Sequence, residues 1–150
     1  TPSNSSAASD VYKRQVGIGY TEVEIAAPSE VVSKLTDLLE KYQKDTPITL
    51  EKIVDFHVKF KRIHPFADGN GRTGRLIMFK ECLNHNIVPF VLKDVHRDFY
   101  YRGLNAWNEE KGYLLDTIGM EQDMYKVFLE KFNFRGNIND SKVPKNKFEE

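Results

Sequence analysis

The sequence predicts a mainly α fold, and three observations carry that expectation. Apolar residues recur at helical spacing in five stretches between positions 28 and 132. Alternation of apolar with other residues, the mark of a half-buried strand, is confined to residues 16–25. With 150 residues, 40% hydrophobic and 29% charged, the chain is long and apolar enough to bury one core of its own.

The elements follow in order. Residues 1–15 are set outside the fold. Their front half is small and polar, and Ser9-Asp10-Val11-Tyr12-Lys13-Arg14-Gln15 resembles a translated sequencing adaptor, so a non-native or disordered segment is expected there. Residues 16–25 read as a short β-hairpin around Gly17 and Gly19. Pro28 and Ser29 open a helix with Val31, Val32, Leu35, Leu38, Leu39 and Tyr42 on one face, broken by Asp45-Thr46-Pro47. Thr49 is placed to cap a second helix bearing Leu50, Ile53, Val54, His57, Phe60 and Ile63. After a glycine-rich loop, residues 72–85 form a third, with Leu76, Ile77, Phe79, Cys82 and Leu83 as its expected buried side. An apolar connector, residues 87–92, leads to a helix capped by Asp94 and carrying Phe99, Tyr100, Leu104 and Trp107. A last helix spans 113–132, and a polar, mobile tail is expected over 133–150.

Composition excludes several functions. The 22 basic and 22 acidic residues cancel, which argues against nucleic acid as a partner. No apolar run reaches the roughly 18–20 residues of a membrane span, and no secretory leader is evident, so a cytoplasmic protein is expected. The single cysteine, Cys82, rules out an intramolecular disulfide and reads as a packed thiol.

Chemistry concentrates in His64-Pro65-Phe66-Ala67-Asp68-Gly69-Asn70-Gly71-Arg72-Thr73-Gly74-Arg75. His64 can serve as a general base near neutral pH. Asp68 offers the lone hard oxygen donor that suits Mg²⁺ already carrying phosphate and water. Gly69 and Gly71 allow backbone N–H groups to approach an anion at the start of a helix. Asn70 adds a side-chain amide, and Arg72 and Arg75, three apart, share the first helical turn. Base, metal ligand, anion cradle and two guanidinium groups are what phosphoryl or nucleotidyl transfer requires. Gly69, Gly71 and Gly74 also fit G-x-G-x-x-G, but a helix precedes them and no acidic residue follows at the needed distance, so a dinucleotide fold is rejected.

The twelve residues resemble the Fic family signature H-P-F-x-[DE]-G-N-G-R-x-x-R at every defined position, and residues 16–132 look like a Fic domain. The resemblance implies a Fic-type helical bundle with a short β-hairpin, the flap, near its N-terminus. It implies a nucleotidyltransferase that binds ATP and Mg²⁺ and moves AMP to a Ser, Thr or Tyr hydroxyl of a target protein. His64 would deprotonate that hydroxyl and Asp68 would hold Mg²⁺. Gly69, Asn70 and Gly71 would form the anion hole, and Arg72 and Arg75 would take the β- and γ-phosphates. Phe66 would be a buried anchor. Another nucleotide, AMP removal, or a non-catalytic nucleotide-binding module are the alternatives. The family's inhibitory pattern [S/T]-x-x-x-E-[G/N] is incomplete at Thr36–Glu40 and at Thr117–Glu121, so no autoinhibition is expected, and an inhibitor would be a preceding segment or a separate partner protein.

Outside the loop, His57 is expected to be packed and hydrogen-bonded, and His85 and His96 to be surface or cap residues. Tyr100 and Tyr101 fit an adenine pocket or the core equally, and Trp107 the core. Lys59, Lys61 and Arg62 read as a solvated basic edge, with a polyphosphate or an acidic target as the alternative.

Overall fold

The computed structural model describes residues 25–132. The described residues are helical, with no strand among them. The hairpin expected over 16–25 lies outside them except for Ile25, as do the segments 1–15 and 133–150.

A 3-10 turn, Pro28–Glu30, with proline at its start, leads into α1 (Val31–Lys44). Among the described residues this helix packs chiefly on α2 (Leu50–Ile63), so its apolar stripe is half covered. Leu35, Leu38 and Tyr42 turn inward, while Val32 and Leu39 are exposed, which corrects the six-residue face expected from periodicity. Tyr42 anchors α1: its ring lies 4.9 Å from that of Phe56, and its hydroxyl donates to Glu81 at 3.0 Å.

The central element is α2. Thr49 caps it as expected, its hydroxyl accepting from the Lys52 N–H at 3.4 Å. Helices on more than one side bury Ile53, Val54, Phe56, His57, Val58, Phe60 and Ile63, so its covered surface is wider than a single stripe. The Trp107 indole, itself buried, donates to Asp55 on α2 at 2.9 Å.

In α3 (Asn70–Asn84) the inward stripe is Asn70, Gly74, Met78 and Cys82, each four residues on from the last. This differs from the sequence expectation: Leu76 and Leu83 are 69% and 50% exposed. Gly74 explains the difference. A Cβ there would lie 2.7 Å from His57 Nδ1 and 3.3 Å from Phe60 Cδ1, so the absent side chain sets which face of α3 meets α2. Burial pushes the Cys82 thiol up to about 12, in keeping with an inert packed cysteine.

The connector buries Val88, Pro89 and Phe90. A 3-10 turn, Asp94–His96, then precedes α4 (Arg97–Ala106). Asp94 therefore begins the turn and does not cap the helix, and Phe99 faces outward. The last helix, α5 (Gly112–Lys131), lies close on α4, because a Cβ on Gly103 would sit 2.7 Å from Leu114 Cα. Ile53, Val54, Met78, Tyr100, Leu104, Trp107, Leu114 and Ile118 meet in one core. No helix among the described residues is long and apolar enough to cross a membrane.

Candidate active site

The loop between α2 and α3 is shaped by its own sequence. Pro65 has no N–H to continue a helix, and α2 ends at Ile63, two residues earlier. His64 closes α2 in the left-handed conformation, φ 53° and ψ 57°, with its N–H donating to the Phe60 carbonyl at 3.1 Å. A non-glycine residue held there is strained by about 1–3 kcal/mol, and such positions concentrate at functional sites. His64 is partly exposed.

Asn70 fixes the loop from inside. It is 3% exposed, its Oδ1 accepts from the Phe66 N–H at 2.9 Å, and its Nδ2 donates to the Phe66 carbonyl at 2.6 Å. Phe66 itself is 47% exposed, its ring centre 6.2 Å from that of buried Phe60. The expectation of a buried Phe66 anchor is therefore corrected. The resemblance implies a buried ring, whereas here the loop is tied through its backbone to a buried amide. One Nδ2 hydrogen of Asn70 is thereby committed to the loop, and its backbone N–H stands at the start of α3.

Gly69, at φ +83°, occupies the N-cap of α3, where any side chain would be strained. Its N–H donates to Asp68 Oδ1 at 2.6 Å, and Asp68 Oδ2 meets Arg72 Nη2 at 3.3 Å. Both partners of that ion pair are more than three-quarters exposed, so it adds little stability. The first intrahelical bond runs from the Thr73 N–H to the Gly69 carbonyl at 2.9 Å. The N–H groups of Asn70, Gly71 and Arg72 thus precede the helical ladder, and a glycine cap brings no side chain to close them. Together with the helix dipole they form an anion-attracting end.

The two arginines part company. Arg72 points outward to Asp68, while Arg75 is partly buried and turns back along the helix, its Nη1 lying 3.2 Å from where a Gly71 Cβ would stand. Beneath them His57 is 1% exposed, its Nε2 2.6 Å from the Tyr100 hydroxyl. Burial, reinforced by the Lys61 and Arg75 charges, holds the His57 ring neutral, its pKa pulled down to about 3. Burial raises the Tyr100 phenol, so both groups of this pair stay uncharged. Tyr100 is core, not pocket lining.

Among the described residues no three His, Cys, Asp or Glu side chains gather as a metal site. Asp68 alone offers an exposed hard oxygen beside the anion-attracting end, a donor set that suits a divalent ion arriving with its own phosphate and water ligands.

Of the remaining histidines, His85 sits beside Glu81 at 3.4 Å, and His96 binds buried Glu121 through Nδ1 at 2.7 Å. Glu121 also accepts from the Lys93 N–H at 3.0 Å, and Thr117 donates to the Tyr113 carbonyl at 2.8 Å, so this pair holds the fold. The basic edge does not behave as one face. Lys59 pairs with Asp55 and Arg62 donates to Asn108, but Lys61 folds onto the rings of Tyr100 and Tyr101. Its spacing carried the signal: Lys61 stands four residues after His57, on the buried side of α2.

A glycine-capped helix entry, preceded by a histidine and a carboxylate and followed by two arginines, gives this helical protein a loop that attracts anions. The chain belongs to the Fic/DOC family, which it matches over residues 4–82, more than half of its 150 residues. It is similar to the protein adenylyltransferase Fic of Aedes aegypti, 43% identical over 53 residues, 35% of this chain and 11% of that protein. With the protein adenylyltransferase fic-1 of Caenorhabditis elegans it shares 31% identity over 85 residues, 55% of this chain and 17% of that protein. The Caenorhabditis briggsae fic-1 protein is 30% identical over 105 residues, 67% of this chain and 20% of its own length. The chain thus spans between 11% and 20% of the length of these relatives.

Proposed function

We propose that the protein is an adenylyltransferase that moves AMP from Mg-ATP to a Ser, Thr or Tyr hydroxyl of a target protein. The observation that carries this reading is the α3 N-terminus. Its leading N–H groups follow a left-handed glycine, His64 and Asp68 lie in the loop that enters it, and the Arg75 guanidinium reaches back to Gly71. The named activity of the relatives supports the same reading.

In the reaction, the target hydroxyl oxygen attacks the α-phosphorus, a new P–O bond forms, and the bond to the β-phosphate oxygen breaks to release pyrophosphate. His64 takes the hydroxyl proton. The Asn70, Gly71 and Arg72 N–H groups stabilise the charge that develops on the phosphate oxygens, aided by the helix dipole. Arg72 and Arg75 hold the β- and γ-phosphates, Arg72 exchanging its exposed partner Asp68 for phosphate. Asp68 would hold Mg²⁺, which supplies Lewis-acid neutralisation of the departing pyrophosphate when bound. Asn70 keeps the loop in register through Phe66. Residues 16–25 are assigned the flap, which would align the target segment by backbone pairing.

The test is His64→Ala. Loss of the base should lower AMP transfer by about 10²–10⁴-fold while ATP affinity stays within a few-fold. Transfer at the wild-type rate removes His64 from that role. Label passed from UTP or GTP but not ATP would change the nucleotide, because the loop groups contact phosphates and not the base.

A further inference from the structure

Three cationic side chains crowd the last turn of α2, and two have evident partners. Lys59 pairs with Asp55, and Arg62 donates to Asn108 Oδ1 at 3.0 Å. Lys61 turns the other way, its ammonium 5.0 Å from the centre of the Tyr101 ring and 5.8 Å from that of Tyr100. It thereby reaches the loop: a Cβ on Gly71 would lie 3.9 Å from Lys61 Nζ and 3.2 Å from Arg75 Nη1. Two cations from different helices converge on one backbone position, where the missing side chain leaves room.

None of the ion pairs among the described residues includes either of them. Like charges brought together in a partly buried place, next to the positive end of a helix, oppose the fold unless an anion joins them. A lysine docked on aromatic rings for packing alone has no need of a neighbouring guanidinium. We propose that Lys61 is a third cation of the phosphate site, its ammonium contacting a phosphate oxygen of the nucleoside triphosphate beside Arg75 and over Gly71. The proposal rests on reading the loop as a nucleotide site. The cost of the arrangement is visible in Lys61 itself: burial, and then the Arg75 charge, pull its pKa down to about 8, so its charged form is disfavoured until an anion is present.

The experiment measures Mg-ATP affinity by calorimetric titration, and melting temperature without nucleotide, for the wild type and for Lys61→Met, Arg75→Ala and Lys34→Met. Lys34 is exposed on α1 and controls for loss of one positive charge. Lys61→Met should weaken ATP binding roughly tenfold or more, the value of a charge-assisted contact, while the melting temperature holds or rises. Lys34→Met should change neither. Unchanged ATP affinity in Lys61→Met alongside a loss in Arg75→Ala overturns the Lys61 proposal alone. No loss in either variant overturns the nucleotide-site reading as well. A parallel fall in affinity and melting temperature makes Lys61 a structural residue and also overturns the proposal. Should Lys61→Met fail to fold, Lys61→Gln carries the same two readouts.

Discussion

The two helix pairs of this protein use one packing device to different ends. In both, a glycine lets neighbouring helices approach to where a Cβ would clash: Gly74 of α3 against His57 of α2, and Gly103 of α4 against Leu114 of α5. Between α4 and α5 the approach buries Leu104, Leu114 and Ile118, an apolar seam that serves stability. Between α2 and α3 it buries a neutral histidine bonded to a tyrosine, and the Lys61 and Arg75 cations come together at Gly71. One seam is apolar, whereas the other holds two like charges next to a loop that begins at a left-handed histidine.

Substitutions at the two glycines sharpen this contrast most. Gly103→Ala drives a Cβ into Leu114 backbone atoms, which cannot move without shifting α5, and should cost about 3 kcal/mol. Gly74→Ala meets the His57 ring, which can tilt, and should cost about 1–2 kcal/mol while disturbing the loop through α3. Urea denaturation of both variants checks the order; an equal or inverted cost would mean that the helix pairs are alike.

Acid comes next. The unfolded chain protonates His57 below about 6.5, while the folded chain resists to about 3. The unfolded state therefore binds the extra proton across that window, and stability falls as pH drops through it, by about 1.4 kcal/mol per pH unit from this group alone. His57→Gln should flatten that part of the stability–pH curve. The smallest effect is expected at the exposed pair: Asp68→Asn should change stability by less than about 0.5 kcal/mol, yet weaken the Mg²⁺ dependence of nucleotide binding.

Much of this was legible in the sequence. The five helices follow from apolar spacing, Thr49 capped where its side chain and position indicate, and Trp107 entered the core. The loop stood out because its residue types make chemical sense only together. What periodicity could not supply was the direction of each helix. On α3 a glycine, invisible to a count of apolar residues, set the buried face and left Leu76 and Leu83 outside. On α1 the main neighbour, α2, covers less than the apolar stripe offers. The buried Phe66 implied by the family resemblance is not found, because the polar Asn70 side chain satisfies two backbone groups at once and takes the inner place. Lys61 was grouped with its basic neighbours by sequence adjacency, although its helical phase placed it with His57.

The central claim is that the loop from His64 to Arg75 directs transfer of the α-phosphoryl group with its nucleoside. Incubating the protein with candidate targets and ATP radiolabelled at either the α- or the γ-phosphate tests it directly. Label on protein from the α-position alone, abolished by His64→Ala, is the predicted result. Label from the γ-position, or α-label that persists without the imidazole, would contradict it.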